Sequence, residues 1–252
     1  MTFTVTTDFL EELKSLACII CIRAKGHVGI WWWKESDLKQ SCILAKIGKK
    51  EYLERLLEYG EVYMNSIVFF RNHSNPEIGD SYEGALYVKN GQVCRFRKNL
   101  DFEKVFCVMD LKGLLPKRMS FWKHNNYIDE MVVRFAFNLL NGFLPNEDLF
   151  VVVIKDVQEF NIRFKKACKR TKVHFLDNRP VVYYDEFDIK PNVALSSFMK
   201  RLKYQKQHEV RYLVYNLNVK PLKLYLGSLC DIAYISNVND LCFELSSIAN
   251  CA

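Results

Sequence analysis

Apolar and polar positions along this chain change over in short blocks, many at the two-residue period of a strand, with stretches of helical period set between them. Residues 42–48 form an apolar run suited to a buried strand. In residues 51–59, Tyr52, Leu53, Leu56 and Leu57 fall at helical intervals ahead of Gly60, a residue type that ends helices. Residues 61–66 predict the next strand. Residues 71–80, rich in Asn, Ser, Pro and Gly, predict a loop that delivers Asp80-Ser81-Tyr82-Glu83-Gly84 to a strand over 85–89. Asn90-Gly91, the strongest short hairpin signal in the chain, joins that strand to 92–97. Further strands are expected over 104–111 and 149–154, and helices over 127–140 and 159–170. Strand material over 173–184 is broken near Asn178-Arg179-Pro180, and short strands over 222–226 and 231–235 precede a last helix or tail from residue 238. Many short strands with helices inserted between them predict an α+β fold on a mixed or mainly antiparallel sheet, and argue against a doubly wound one.

Ahead of this pattern, Thr6-Thr7-Asp8 offers caps for a short opening helix, and apolar runs over 17–22 and 28–33 read as a hairpin or strand pair. Trp31-Trp32-Trp33 could stack bases. Adjacent strand residues face opposite ways, however, which favours packing. A polar stretch over 34–40 links this accessory piece, residues 1–40, to a main body spanning 41–252.

With 50% hydrophobic and 14% aromatic residues, the chain can bury a substantial core. Its longest apolar run, residues 16–22, is too short to span a bilayer, and its start lacks the features of a secretory signal; the expected setting is cytoplasmic, with no membrane partner. Nine cysteines at irregular spacings fit reduced thiols better than a disulfide framework. Cys18 and Cys21 form a C-x-x-C inside an apolar run with no second pair at zinc distance, so no metal is expected. Lys and Arg total 36 against 29 acidic residues, a charge of +7 that favours anionic partners. There is no glycine-rich phosphate loop, no histidine pair at metal spacing and no G-x-S-x-G elbow. His73, His124 and His174 read as structural, so any chemistry must come from polar residues on strands and loops.

The densest polar pattern lies in residues 198–215, where a basic, helix-like run becomes strand-like at His208. In an extended chain Gln207, Glu209 and Arg211 share one face, setting an amide, a carboxylate and a guanidinium in a row. One reading is a solvated face with a surface Glu209–Arg211 pair of little energetic weight. The other is a catalytic row. Lys200, Arg201, Lys203 and Lys206 precede it, and the helix over 159–170 carries Arg163, Lys165, Lys166, Lys169 and Arg170; such helices are most often solvated faces.

Ile43-Leu44-Ala45-Lys46, the stretch from Tyr52 through Tyr63-Met64-Asn65-Ser66, Phe69-Phe70-Arg71 and Asp80-Ser81-Tyr82-Glu83-Gly84, taken in order, resemble a bacterial family placed in the ADP-ribosyltransferase superfamily. The C-terminal half adds Gln207-His208-Glu209-Val210-Arg211, similar to that family's [Glu/Gln]-x-Glu-x-Arg strand, and Gly227-Ser228-Leu229-Cys230-Asp231-Ile232. The resemblance implies an ADP-ribosyltransferase-like split sheet with inserted helices and an insertion at about 121–172. It implies NAD as substrate, with Glu209 as the catalytic glutamate and Gln207 as the group facing the acceptor. It also implies NAD contacts from Lys46, Tyr63, Asn65, Ser66, Phe70 and Arg71. Toxins of the superfamily carry Arg or His on the first strand and Ser-Thr-Ser on the second, where this chain has Lys46 and Asn65-Ser66. The activity implied is transfer of ADP-ribose to nucleic acid or protein by a toxin or anti-phage effector, with an antitoxin protein as partner. The basic residues Lys200, Arg201, Lys203 and Lys206 tilt the acceptor toward nucleic acid. The competing class is a noncatalytic module on the same scaffold that binds nucleic acid or protein.

Overall fold

The computed structural model describes residues 44–75, 78–110, 149–189 and 193–237. The expected helix and strand pair of residues 1–40, the tryptophan triplet, the C-x-x-C pair, the helix over 127–140 and the segment from 238 lie outside the described residues.

The sheet is organised around β5 (Glu103–Asp110). Along one edge it pairs antiparallel with the whole of β10 (Glu209–Tyr215), which pairs in turn with β7 (His174–Pro180). Along the other edge two strands share it. β1 (Leu44–Lys49) pairs with only its C-terminal end, through Leu44↔Asp110 and Ala45↔Met109. β2 (Glu61–Ser66) pairs with only its N-terminal end, through Asn65↔Val105 and Ser66↔Lys104. Between these pairings the sheet forks. One arm runs from β1 to β6 (Leu149–Ile154) and β12 (Ala233–Asn237), the other from β2 to β11 (Leu222–Tyr225), all antiparallel. Two small sheets stand apart: the hairpin β3 (Ala85–Lys89) with β4 (Gln92–Phe96), and a parallel pair of β8 (Val182–Tyr184) with β9 (Met199–Arg201). The fold is α+β and predominantly antiparallel.

The helix α1 (Lys50–Tyr59) buries Leu53 and Leu56 at the i, i+3 spacing of one face. Gly60 ends it at φ 62°, and a Cβ there would sit 2.2 Å from the Gly227 carbonyl oxygen, so both backbone shape and close packing require glycine. The helix α3 (Val157–Arg170) is capped by the Asp156 carboxylate, which accepts from the Glu159 amide at 2.8 Å. It buries Val157, Phe160, Phe164, Ala167 and Cys168. Together α1 and α3 cover one sheet face, where Phe106, Val108, Val152, Ile154, Val210, Tyr212 and Val214 join them in the main core. Phe160 and Tyr212 meet edge to face at 5.5 Å between ring centres.

Two expectations need correction. The helix α2 (Ile67–Asn72) stands where the sequence suggested none, because the Ser66 hydroxyl accepts from the Phe69 amide at 3.2 Å and Ile67 is buried beneath it. The helix-like reading of the basic run before His208 fails: β9 is followed by a 3₁₀ turn over Leu202–Gln207 in which only Tyr204 is buried, too little apolar surface to hold a longer helix. The break in 173–184 falls at Val181, just after Pro180. Elsewhere the expected elements hold to within a residue or two, including the Asn90-Gly91 turn with both residues at positive φ. Among the described residues no helix is long and apolar enough to cross a membrane.

Candidate active site

Strand β10 is buried on both faces. Its even-numbered residues enter the helix-covered core; on the other face its register with β5 sets Glu209 opposite Met109 and Arg211 opposite Cys107. The surface-pair reading of Glu209 and Arg211 is therefore overturned: they are 6% and 2% exposed. Ions buried on that face are held by pairing with one another.

Arg211 is the centre of the pairing. Its Nε donates to Glu209 Oε1 at 2.5 Å, its two terminal nitrogens grip the Glu83 carboxylate, and Nη1 also donates to the Ser197 carbonyl at 2.5 Å. Lys200 supplies the second cation, donating to Glu209 Oε2 at 3.1 Å and Gln207 Oε1 at 2.8 Å, with Glu83 Oε1 4.0 Å away. Two carboxylates thus face two cations, all buried. Burial alone would raise the Glu209 carboxyl, but the Arg211 guanidinium and the Lys200 ammonium outweigh it and hold the group well below the usual carboxylate range. Burial would lower Lys200, and Glu209 and Glu83 overcome it and keep the ammonium charged. The Cys107 thiol, raised by burial and by the Glu209 charge, also bonds that carboxylate. The Glu209 amide donates to the Tyr183 hydroxyl at 2.9 Å.

The loop before β3 is fastened to the same cluster. Asp80, 1% exposed, takes Arg201 Nε at 2.8 Å, Tyr204 donates to the Gly79 carbonyl at 2.8 Å, and Glu83 takes Arg211. The Asp80–Gly84 segment is held by ion pairing in this conformation. Arg71 does not join it; its guanidinium lies 4.6 Å from the Phe96 ring centre. A second ion pair adjoins the first: Arg97 grips Glu103 at 3.0 and 3.1 Å, and the Ser197 hydroxyl bonds both while its carbonyl serves Arg211.

The structure gathers some of the expected site residues and disperses others. Gln207 and Glu209 come together, but not by strand alternation: Gln207 ends the 3₁₀ turn, His208 turns left-handed at φ 41°, and the two side chains meet through Lys200. Lys46 reaches into the fork and donates to the Cys107 carbonyl at 2.8 Å, its ammonium 5.1 Å from the centre of the Phe106 ring. Burial lowers its pKa, against the Cys107 and Glu209 charges. Asn65 shares the face of Val105, the side of the sheet that carries Arg211. Tyr63, about half exposed, pairs across to Lys223 on β11. Ser66 is occupied as a helix cap, and Phe70 packs with the cluster of Leu100, Val105, Phe198 and Leu213. Of the four residues expected to meet an acceptor, Lys200 is buried in the cluster and Arg201 is spent on Asp80; Lys203 is exposed and Lys206 half-buried. On α3, Arg163 bonds Asp231, Glu159 and the Ser228 carbonyl, and Arg170 bonds the Tyr225 carbonyl, so neither is a spare surface cation.

Sequence reasoning missed Cys107, Tyr183 and Ser197. Cys107 becomes legible only once β5 and β10 are in register, and Tyr183 and Ser197 carry no local signal. Among the described residues no group of three or more His, Cys, Asp or Glu side chains could hold a metal. Comparison with known proteins gives no match: no family model, no curated protein and no solved structure matches this chain.

Proposed function

We propose that this chain is a mono-ADP-ribosyltransferase that moves ADP-ribose from NAD to a cellular acceptor, acting as a bacterial toxin or anti-phage effector restrained by an antitoxin protein. The observation that carries the reading is the Glu209 carboxylate, kept ionised and fixed in direction by Arg211 and Lys200 on one face of a forked antiparallel sheet. A fixed anion suits the reaction. As the glycosidic C1′–N bond of NAD breaks, its electron pair leaves on nicotinamide and positive charge grows on the ribose, where a preorganised carboxylate stabilises the transition state more than the ground state. An acceptor lone pair then bonds C1′ and its proton is released. Gln207, joined to Glu209 through Lys200, suits the acceptor side of that step. Of the six NAD-contact candidates, Ser66 caps a helix, Lys46 lies at the fork, Phe70 packs in the Leu100 cluster and Arg71 lies against Phe96, which leaves Tyr63 and Asn65 as the first to test.

A second reading has its own observation. Both oxygens of Glu209 already accept from cations and the residue is 6% exposed, which suits a scaffold that binds without turnover. Incubation with radiolabelled NAD and a bacterial lysate separates the two. Transfer of label that disappears in Glu209→Gln, with the fold intact, supports the enzyme; wild type that neither transfers label nor cleaves NAD supports the scaffold. Label removed by ribonuclease and not by protease identifies a nucleic-acid acceptor, and the opposite pattern identifies protein.

A further inference from the structure

We infer that Lys200 is the positioning residue of this site, the internal cation that sets Gln207 and Glu209 side by side. The inference rests on the transferase reading for its kinetic consequence alone. The backbone does not place the two together in the way strand pleating would, because the left-handed turn at His208 separates a 3₁₀ residue from a strand residue. What joins them is one ammonium, 2.8 Å from Gln207 Oε1 and 3.1 Å from Glu209 Oε2. Lys200 is itself held: it lies on β9, paired to β8, is 5% exposed, and its ammonium sits 4.7 Å from the Tyr204 ring centre. A compact ammonium with three donors can bridge an amide and a carboxylate at different angles, which the planar fork of arginine cannot reproduce. Lys200, expected from sequence to touch the acceptor, instead acts from beneath, through Gln207 and Glu209.

The groups facing Glu209 are Arg211, Lys200, Cys107, Tyr183 and Lys46, with Glu83 across Arg211. Lys200→Met removes one of the two cations that touch the carboxylate. With carbon-13-labelled glutamate, and the Glu209 signal identified by its loss in Glu209→Gln, the carboxyl titration should move up by about one pH unit or more in Lys200→Met. It should stay at the wild-type position in Lys200→Arg, which keeps the charge. In steady-state NAD cleavage both variants should lose kcat, by about tenfold or more for Lys200→Met, with KM for NAD within about twofold, as expected of lost positioning. Should Lys200→Met fold poorly, Lys200→Met with Glu209→Gln removes one charge of each sign and should melt at a higher temperature than the single variant. An unchanged Glu209 titration in Lys200→Met, or a double variant that melts no higher than the single, overturns the inference. Wild type that cleaves no NAD sinks the transferase reading instead, and the titration and melting comparisons still decide whether Lys200 holds Glu209.

Discussion

The two faces of β10 solve the problem of burial in opposite ways. On one, Val210, Tyr212 and Val214 pack against Phe106, Phe160 and Phe164, and the contact is non-directional. On the other, Leu213 packs in a second apolar cluster, but Glu209 and Arg211, buried to a similar degree, are held by directed bonds to named partners. Apolar burial stabilises at roughly 25 cal/mol per Å² whatever the arrangement. A buried ion cluster stabilises little relative to apolar residues of the same shape, because desolvation offsets the attraction, but breaking it is costly. The two carboxylates and two cations gathered at this face, from β10, β9 and the loop before β3, therefore fix geometry more than they add stability.

Acid and truncation separate the two faces. Arg211→Met leaves Glu83 and Glu209 facing a single lysine and should cost about 3–5 kcal/mol at neutral pH, read by denaturant unfolding. Phe160→Ala on the other face should cost a similar amount, about 3–5 kcal/mol, through its cavity. The two are told apart by pH. Glu209 is depressed in the folded state, so its contribution is present above the ordinary carboxylate range and is lost as pH falls below it. The gap between wild type and Arg211→Met should therefore narrow in acid as Glu209, no longer held by Arg211, takes up its proton, while the Phe160→Ala gap stays constant. A gap that does not narrow would remove the ion cluster as the reason for the loss.

Smaller effects are expected at polar groups outside the cluster. Ser66→Ala should lower stability by about 1 kcal/mol by removing the α2 cap, whereas Ser66→Gly should cost only a few tenths. Equal stability in all three, with NAD affinity lost in both variants, would return Ser66 to a ligand role. The smallest change belongs to Asp231→Asn. Its bond to Arg163 lies at the surface, and a melting curve close to that of wild type is expected, since exposed ion pairs add little.

The strand and helix pattern was legible in the sequence because it rests on local signals: the periodicity of residues 51–59, the β-branched run of 149–154, the Asn90-Gly91 turn, and Gly60 as a stop. Glu209, Arg211, Asp80 and Glu83 were singled out by the family resemblance, while the spacing alone equally allowed a solvated Glu209–Arg211 pair. Their partners were not. The sequence alone determined an α+β chain with a polar constellation in its C-terminal half. Tertiary structure decided that Glu209 and Arg211 are buried rather than solvated, that Lys200 belongs beneath the constellation, and that Glu83 reaches Arg211 across 128 residues of chain. The reason is physical: periodicity reports which face a residue occupies, but whether that face meets water depends on which distant segment covers it, and the bonds that then fix each charge run between residues with no local relationship.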